Sequence, residues 1–186
     1  MTRLVRPHSR YQRSYLAASD EFAETGEQRD GDGLWAQEPE GDYAGFAFTR
    51  DGLEDPAEFE RFVARRVASA RQDAPRKPGW VPCTFLWMVE DGEYVGSLSL
   101  RHELNDFLLQ EGGHIGYSVR PSARRRGHAT EALRQAIPLG AARGIPRLLV
   151  TCAEDNPGSR AVIEAHGAVY EDSRNGTRRY WIDTSG

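Results

Sequence analysis

A chain of 186 residues with 39% hydrophobic and 28% charged side chains can bury a core of its own, has the composition of a soluble globular protein, and is expected to form one domain over residues 1–186. A net charge of -4 with a pI near 5.8 excludes a protein whose whole surface is basic for nucleic acid. No apolar run reaches the ~20 residues that a membrane span needs, and the charged start MTRLVRPHSR lacks an apolar core, so neither a membrane partner nor a secretory signal is expected and the cytoplasm is the expected location.

In chain order, residues 3–6 read as a short strand stopped by Pro7, and Ser9 is placed to cap a helix carrying Tyr11, Tyr15, Leu16 and Phe22. A polar, glycine-containing stretch follows over 24–52, interrupted by Trp35, Tyr43, Phe46 and Phe48. Loops of this length are uncommon in compact domains. This one reads either as a solvated connection with aromatics tucked inward or as a lid over a substrate. Its acidic residues Glu38, Glu40 and Asp42 are either simply solvated or favour a cationic ligand.

Asp55-Pro56-Ala57-Glu58 has the pattern of a helix start with a capping box. Phe59, Phe62, Val63, Val67 and Ala70 then share a face, with Arg61, Arg65 and Arg66 placed elsewhere around the helix. The near-continuous apolar run 83–89 is expected as a central strand. Asp91-Gly92 turns it into a partner over 94–100. A loop with Phe107, Leu108 and Leu109 leads to the strand 114–119. Cys83 and Cys152 lie far apart in apolar runs without metal-ligand spacing, so both are expected to be buried and reduced, and no metal is expected.

The stretch VRPSARRRGHATEA, residues 119–132, is the feature around which the chain is arranged. A strand passes through a basic, glycine-containing turn directly into a helical pattern running from Thr130 to about Ala142. The first N–H groups of a helix have no internal partner and the helix dipole favours negative charge there, so the turn is suited to a phosphorylated ligand. Pro138 should kink or loosen this helix. A buried-type strand over 147–152, a helix capped by Asn156 with Pro157 at its first position, and two strands around Asn175-Gly176 complete the chain. The order β-α-α-β-β-β-α-β-α-β-β is that of an α/β protein with a mixed (α+β) sheet flanked by helices.

The segment Arg124-Arg125-Arg126-Gly127-His128-Ala129 resembles the R/Q-x-x-G-x-G/A acyl-CoA signature of the GNAT superfamily of N-acetyltransferases. It follows a strand and opens a helix, as the signature does there. The helix start Asn156-Pro157-Gly158-Ser159 and the order of elements are similar over essentially the whole chain. GSLSLRHELN and GGHIGYSVRPSARRRGHATEAL look closest to a bacterial subgroup of predicted acetyltransferases.

The resemblance implies a GNAT-like acyl-CoA N-acyltransferase fold and acetyl-CoA as acyl donor. Its pyrophosphate would lie on the backbone of Arg125, Arg126, Gly127, His128, Ala129 and Thr130, with charge from Arg124, Arg125 and Arg126. Its arm would lie along Tyr117, Ser118 and Val119 and touch Asn156. An amine attacking a thioester must lose a proton. His114 stands roughly where the superfamily often offers a base, with Glu103, His102 and Glu111 as rivals, and a structural role for His114 is the alternative. The family's tyrosine, seven residues after the capping asparagine, is here Ile163, leaving Ser159 as the expected hydrogen-bond donor to the departing thiolate, with Tyr170 and Cys152 as weaker candidates. The implied acceptor is an amine of a small molecule or peptide. A non-catalytic acyl-CoA-binding regulatory module is the alternative function, and a homodimer is left open.

Overall fold

The computed structural model describes residues 1–27, 29–32 and 48–185. Trp35, Glu38, Glu40, Asp42, Tyr43 and Phe46, named above as candidate lid residues, lie outside them. The described strands form one sheet in the order β1 (Arg3–Val5), β2 (Cys83–Glu90), β3 (Glu93–Arg101), β4 (Ile115–Val119), β5 (Arg147–Ala153), β7 (Thr177–Asp183) and β6 (Val169–Arg174). Neighbours are antiparallel except β4 and β5, which are parallel. Both expected hairpins turn through two residues of positive φ, Asp91 and Gly92 (51° and 82°) and Asn175 and Gly176 (49° and 76°). That is the turn whose twist matches a right-handed strand pair.

Strand β2 shows why it carries an unbroken apolar run. Its period-two alternation sends Trp87 and Val89 into one cluster and Leu86 and Met88 into another, so both faces are covered. One face is closed by α1 (Gln12–Thr25) and α2 (Pro56–Ala68), the other by α3 (His128–Ala142) and α4 (Pro157–Glu164). The α1–α2 side is aromatic. Tyr15 is fully buried and its ring lies 5.0 Å from Trp87, 5.0 Å from Tyr94, 5.3 Å from Phe62 and 5.6 Å from Phe59. Phe48 joins this cluster, 5.3 Å from Phe62.

Several local expectations are corrected. His8, not Ser9, caps the first turn, accepting from the Arg10 N–H at 3.1 Å. Asp55 caps α2 as expected, accepting from the Ala57 N–H at 2.8 Å, but Glu58 pairs with Arg61 instead of reaching back. The Asp55 N–H is already bonded to the Gly52 carbonyl, which removes the donor that a capping box needs. Arg66 is on the buried face of α2, its guanidinium 4.8 Å over the Phe62 ring and 4.7 Å over that of Phe85. Val67 is instead exposed. Helix α3 starts two residues earlier than its periodicity indicates and runs through Pro138. Pro138 and Arg134 are both exposed, so the carbonyl that Pro138 leaves without its helical donor faces solvent. The loop after β3 contains a wide helical turn, Leu108–Gly112.

Phe62→Ala is expected to destabilise the protein by about 3–5 kcal/mol, because it leaves a cavity where four rings and Arg66 converge; urea denaturation followed by tryptophan fluorescence measures it, and a loss below about 1 kcal/mol would show that this cluster is not the core of the α1–α2 side.

Candidate active site

The turn between β4 and α3 is built as an anion cradle. Pro121–Ala123 form one tight turn, Arg125 takes φ 61° and Gly127 takes φ 81°. These two left-handed residues bend the backbone into the helix start, and an L side chain at Gly127 would strain that bend. The first bond of the helix runs from the Glu131 N–H to the Gly127 carbonyl at 3.0 Å. Among the described residues, the N–H groups of Arg125, Arg126, Gly127, His128, Ala129 and Thr130 meet no acceptor.

The side chains of this turn are divided in their duties. Arg124 donates to both oxygens of Glu27 at 2.9 and 2.6 Å and to the Val119 carbonyl at 3.2 Å. Arg126 pairs with Glu90 at 2.9 Å. Arg125 is exposed and has no ion-pair partner among the described residues. The His128 ring turns inward, 1% exposed, with Nδ1 2.7 Å from the Thr2 hydroxyl, so only its backbone faces the cradle. Glu21 braces the turn from α1, accepting from Arg120 Nε at 2.8 Å and from the Ser122 N–H at 3.0 Å.

Strands β4 and β5 pair at a single position, Ile115 against Val150, and then part. His114 makes the joint. Its N–H donates to the Leu149 carbonyl at 2.7 Å, and its Nδ1 accepts from the Leu149 N–H at 2.9 Å. The ring is 6% exposed, and burial followed by the charge of Arg101 pulls its pKa down to about 4. The proton of the neutral ring is therefore on Nε2, and its one lone pair is engaged with backbone. Of the two readings of His114, general base and structural residue, this geometry favours the second, since the lone pair that a base would use already accepts from the Leu149 N–H and ties the two strands together.

The other rivals are engaged elsewhere or face solvent. His102 bonds Thr84 Oγ1 at 2.8 Å and lies 3.3 Å from Arg143 at the end of α3, with its pKa pulled to about 4 by burial and then by Arg143 and Arg76. Glu103 is exposed on the turn after β3. Glu111 accepts from Asn175 Nδ2 at 2.8 Å, and its carbonyl accepts from Thr151.

Across the gap, the hydroxyls of Tyr117 on β4 and Ser159 on α4 meet at 2.7 Å. Burial pushes the Tyr117 phenol up to about 12, so it keeps its proton at neutral pH. Ser159 is held by the Asn156 cap, whose Oδ1 accepts from the Ser159 N–H at 2.9 Å. Ile163 is fully buried in the core, and Tyr170 is exposed on β6. Cys152 and Cys83 are both free and buried, and burial raises the pKa of each. Ser118 Oγ, on β4, is buried without a partner among the described residues.

On the α1–α2 face of the sheet a cleft of about 440 Å³ opens over β2 and β3, lined by residues that include Asp30, Gly31, Trp80, Phe85, Ser99, Arg101 and Phe107. Gly31 presses on β4, where a Cβ would stand 2.4 Å from the Gly116 carbonyl oxygen, and this contact brings Asp30 beside the strand. Asp30 opens to solvent at the cleft mouth, and partial burial raises its pKa against the opposing pull of Arg101. Neither Asp30 nor Arg101 is found by sequence reasoning. Arg101 had a signal: Ser97, Ser99 and Arg101 put polar side chains on one face of an otherwise apolar strand. Asp30 had none. Among the described residues no cluster of His, Cys, Asp or Glu could hold a metal ion, and no helix is long and apolar enough to cross a membrane.

Because the folded-state pKa of His114 lies below its ordinary 6.5, the unfolded chain binds the extra proton first, so stability should fall as pH drops from about 6.5 to 4. His114→Asn, which keeps an acceptor for the Leu149 N–H, is expected to flatten that slope in denaturant titrations. A more than tenfold loss of CoA release with unchanged acetyl-CoA affinity would instead return His114 to the role of base.

Comparison with known proteins agrees with this architecture. No curated protein matches the chain in sequence. Among solved structures, a Salmonella typhimurium acetyl transferase described as modifying the N-terminal serine of the 50S ribosomal subunit protein L7/L12 is 16% identical, with a TM-score of 0.60 over 98% of this chain and 94% of that one. Mycobacterium smegmatis RimJ, described in complex with CoA-disulfide, is 20% identical, with a TM-score of 0.60 over 98% and 80%. The Microcin C7 self immunity acetyltransferase MccE, described in complex with acetyl-CoA and AMP, is 15% identical, with a TM-score of 0.58 over 98% and 92%. At these identities the likeness is one of fold. A family profile described as Acetyltransferase (GNAT) domain matches residues 24–169, and with more than three quarters of its length so matched, the chain belongs to the GNAT acetyltransferase family.

Proposed function

We propose that this chain transfers the acetyl group of acetyl-CoA to a primary amine of a small molecule or peptide, with residues 1–186 acting as one domain. The observation that carries the reading is the row of six backbone N–H groups, 125–130, that meet no acceptor among the described residues at the start of α3. A pyrophosphate needs several convergent donors, and a helix N-terminus behind two left-handed residues supplies them. The Arg125 side chain adds charge from solvent. Arg124 and Arg126 set the shape of the turn through Glu27 and Glu90 and lend charge at longer range. Val119, Ser118 and Tyr117 would border the donor arm on one side of the gap and Asn156 on the other. The similar structures described with CoA or acetyl-CoA support this choice of donor.

Acetyl-CoA is a substrate here and supplies the activated carbonyl. The amine nitrogen bonds to that carbon as the carbon–sulfur bond breaks, and one proton leaves the nitrogen. Asp30 is the carboxylate whose place in the cleft beside β4 suits it to take that proton, and its raised pKa makes it a stronger base than an ordinary aspartate. The Tyr117–Ser159 pair supplies the hydrogen bond to the departing thiolate, the task that Ser159 alone was expected to perform. The similar structures differ in their acceptors, a ribosomal protein N-terminus in one and an antibiotic-immunity function in another, so fold does not choose among amines. A cytoplasmic location goes with free thiols and a CoA substrate.

Gly127→Glu introduces a carboxylate where the cradle awaits phosphate and should weaken acetyl-CoA binding at least tenfold by calorimetry, with an unchanged circular dichroism spectrum. Asp30→Asn should lower kcat for CoA release more than tenfold while acetyl-CoA affinity stays within a factor of two. Tight acetyl-CoA binding by the wild-type protein with no CoA release on amino acids, peptide N-termini, polyamines or aminoglycosides would make it a non-catalytic acyl-CoA-binding module.

A further inference from the structure

The cleft on the α1–α2 side of the sheet holds a guanidinium with no counter-ion among the described residues. Arg101 ends β3 with its side chain turned under the 112–113 turn, where Nη1 donates to the Gly112 and Gly113 carbonyls at 2.6 and 3.1 Å. No carboxylate among the described residues lies within salt-bridge distance of it, in a protein where most arginines near the site are paired. Burial is the main influence on its pKa and pulls it down, against smaller opposing influences from Cys83 and then Asp30. Arg101 is half-buried, and a cation partly withdrawn from water without a counter-charge favours an anionic ligand. Neutral carbonyls take up two of its five donors, and those on Nε and Nη2 meet no acceptor among the described residues. A side chain at Gly116 would meet Nη2 at 3.3 Å, so the bare backbone there keeps room beside the fork. Around it the cleft is apolar and aromatic: Phe85 forms part of the wall, and Trp80 and Phe107 stand 44% and 63% exposed at residues lining it.

We infer that Arg101 is the specificity residue of the acceptor site and that the acceptor is an amino carboxylic acid with an apolar side chain, its carboxylate held by Arg101 and its side chain by the aromatic wall. The inference rests on the acetyl-transfer reading for the identity of the amine as acceptor. The guanidinium fork matches a carboxylate in two parallel hydrogen bonds. A polyamine or an aminoglycoside would bring positive charge against an unpaired cation. A phosphate dianion would exceed the single charge that Arg101 offers and would meet Asp30 in the same cleft. The carboxylate of an amino acid leaves its amine on the Asp30 side, next to the strand that borders the donor gap.

The test begins with binding, which needs no turnover. CoA-saturated protein is titrated with 3-phenylpropionate, 3-phenylpropanamide and phenethylamine. The carboxylate should bind at least tenfold tighter than its amide, and Arg101→Gln should bring the two together, with Arg101→Lys in between. Circular dichroism and acetyl-CoA affinity check that both variants fold. Should neither fold, the carboxylate–amide comparison on the wild-type protein decides by itself, and equal binding overturns the inference. Turnover follows: kcat/KM for phenylalanine should exceed that for phenethylamine at least a hundredfold, a ratio that collapses to within threefold in Arg101→Gln. Equal CoA release from both amines overturns the carboxylate site and leaves acetyl transfer standing. Carboxylate-selective binding that depends on Arg101, with no CoA release from any amine, does the reverse.

Discussion

One rung between β4 and β5 determines what the rest of the molecule can do. The strands meet at Ile115 and Val150, locked by the two hydrogen bonds between His114 and Leu149, and then separate. Parallel strands left to pair along their length would close the sheet. Here the pairing is confined to the end at which His114 sits. The opening that follows has the cradle of α3 at its far end, the Tyr117–Ser159 hydroxyls on one side and the cleft on the other. A buried, neutral imidazole suits this joint because one ring satisfies a backbone donor that no strand partner reaches.

The α1–α2 side converts core packing into placement of the cleft wall. Tyr15 is the hub of the aromatic cluster, and its hydroxyl donates to Asp32 at 2.6 Å. Asp32, 1% exposed, also accepts from Ser97 on β3 at 3.1 Å and lies 3.4 Å from Arg29. A buried carboxylate satisfied in this way is costly to assemble and more costly to break, since removing one partner strands the others in low dielectric. The network therefore fixes position more than it adds stability. It sets Gly31 against β4 and Asp30 at the mouth of the cleft.

The elements were legible in sequence wherever local chemistry and burial agreed. The apolar run of β2, the Asp-Gly and Asn-Gly hairpins, the Asp55 and Asn156 caps and the strand–turn–helix at 119–132 each carry a signal within a few residues. Reading failed where a tertiary contact overrides the local pattern. Arg66 looks like a solvent-facing residue and is buried because Phe62 and Phe85 offer it ring faces. Glu58 has capping-box spacing, yet the donor it would reach is taken by the Gly52 carbonyl. For His114 the sequence leaves base and structural residue both open, and the choice turns on the Leu149 N–H that engages its lone pair, a contact no local pattern announces. The cleft was the least legible part, since Asp30 and Arg101 are brought together from opposite ends of the 24–101 region by the packing of Gly31 on β4.

The segment from Glu21 to Asp32 is braced at both ends. Glu21 and Glu27 hold Arg120, Ser122 and Arg124 of the cradle turn, and Arg29 and Asp32 are anchored in the core under the cleft. The described residues of this segment, 21–27 and 29–32, thus hold parts of both halves of the site. Surface connections in most proteins absorb insertions and deletions with little effect. Here both ends are held, by Glu21 and Glu27 at the cradle and by Arg29 and Asp32 at the core, so a change of length between them would shift both sites at once.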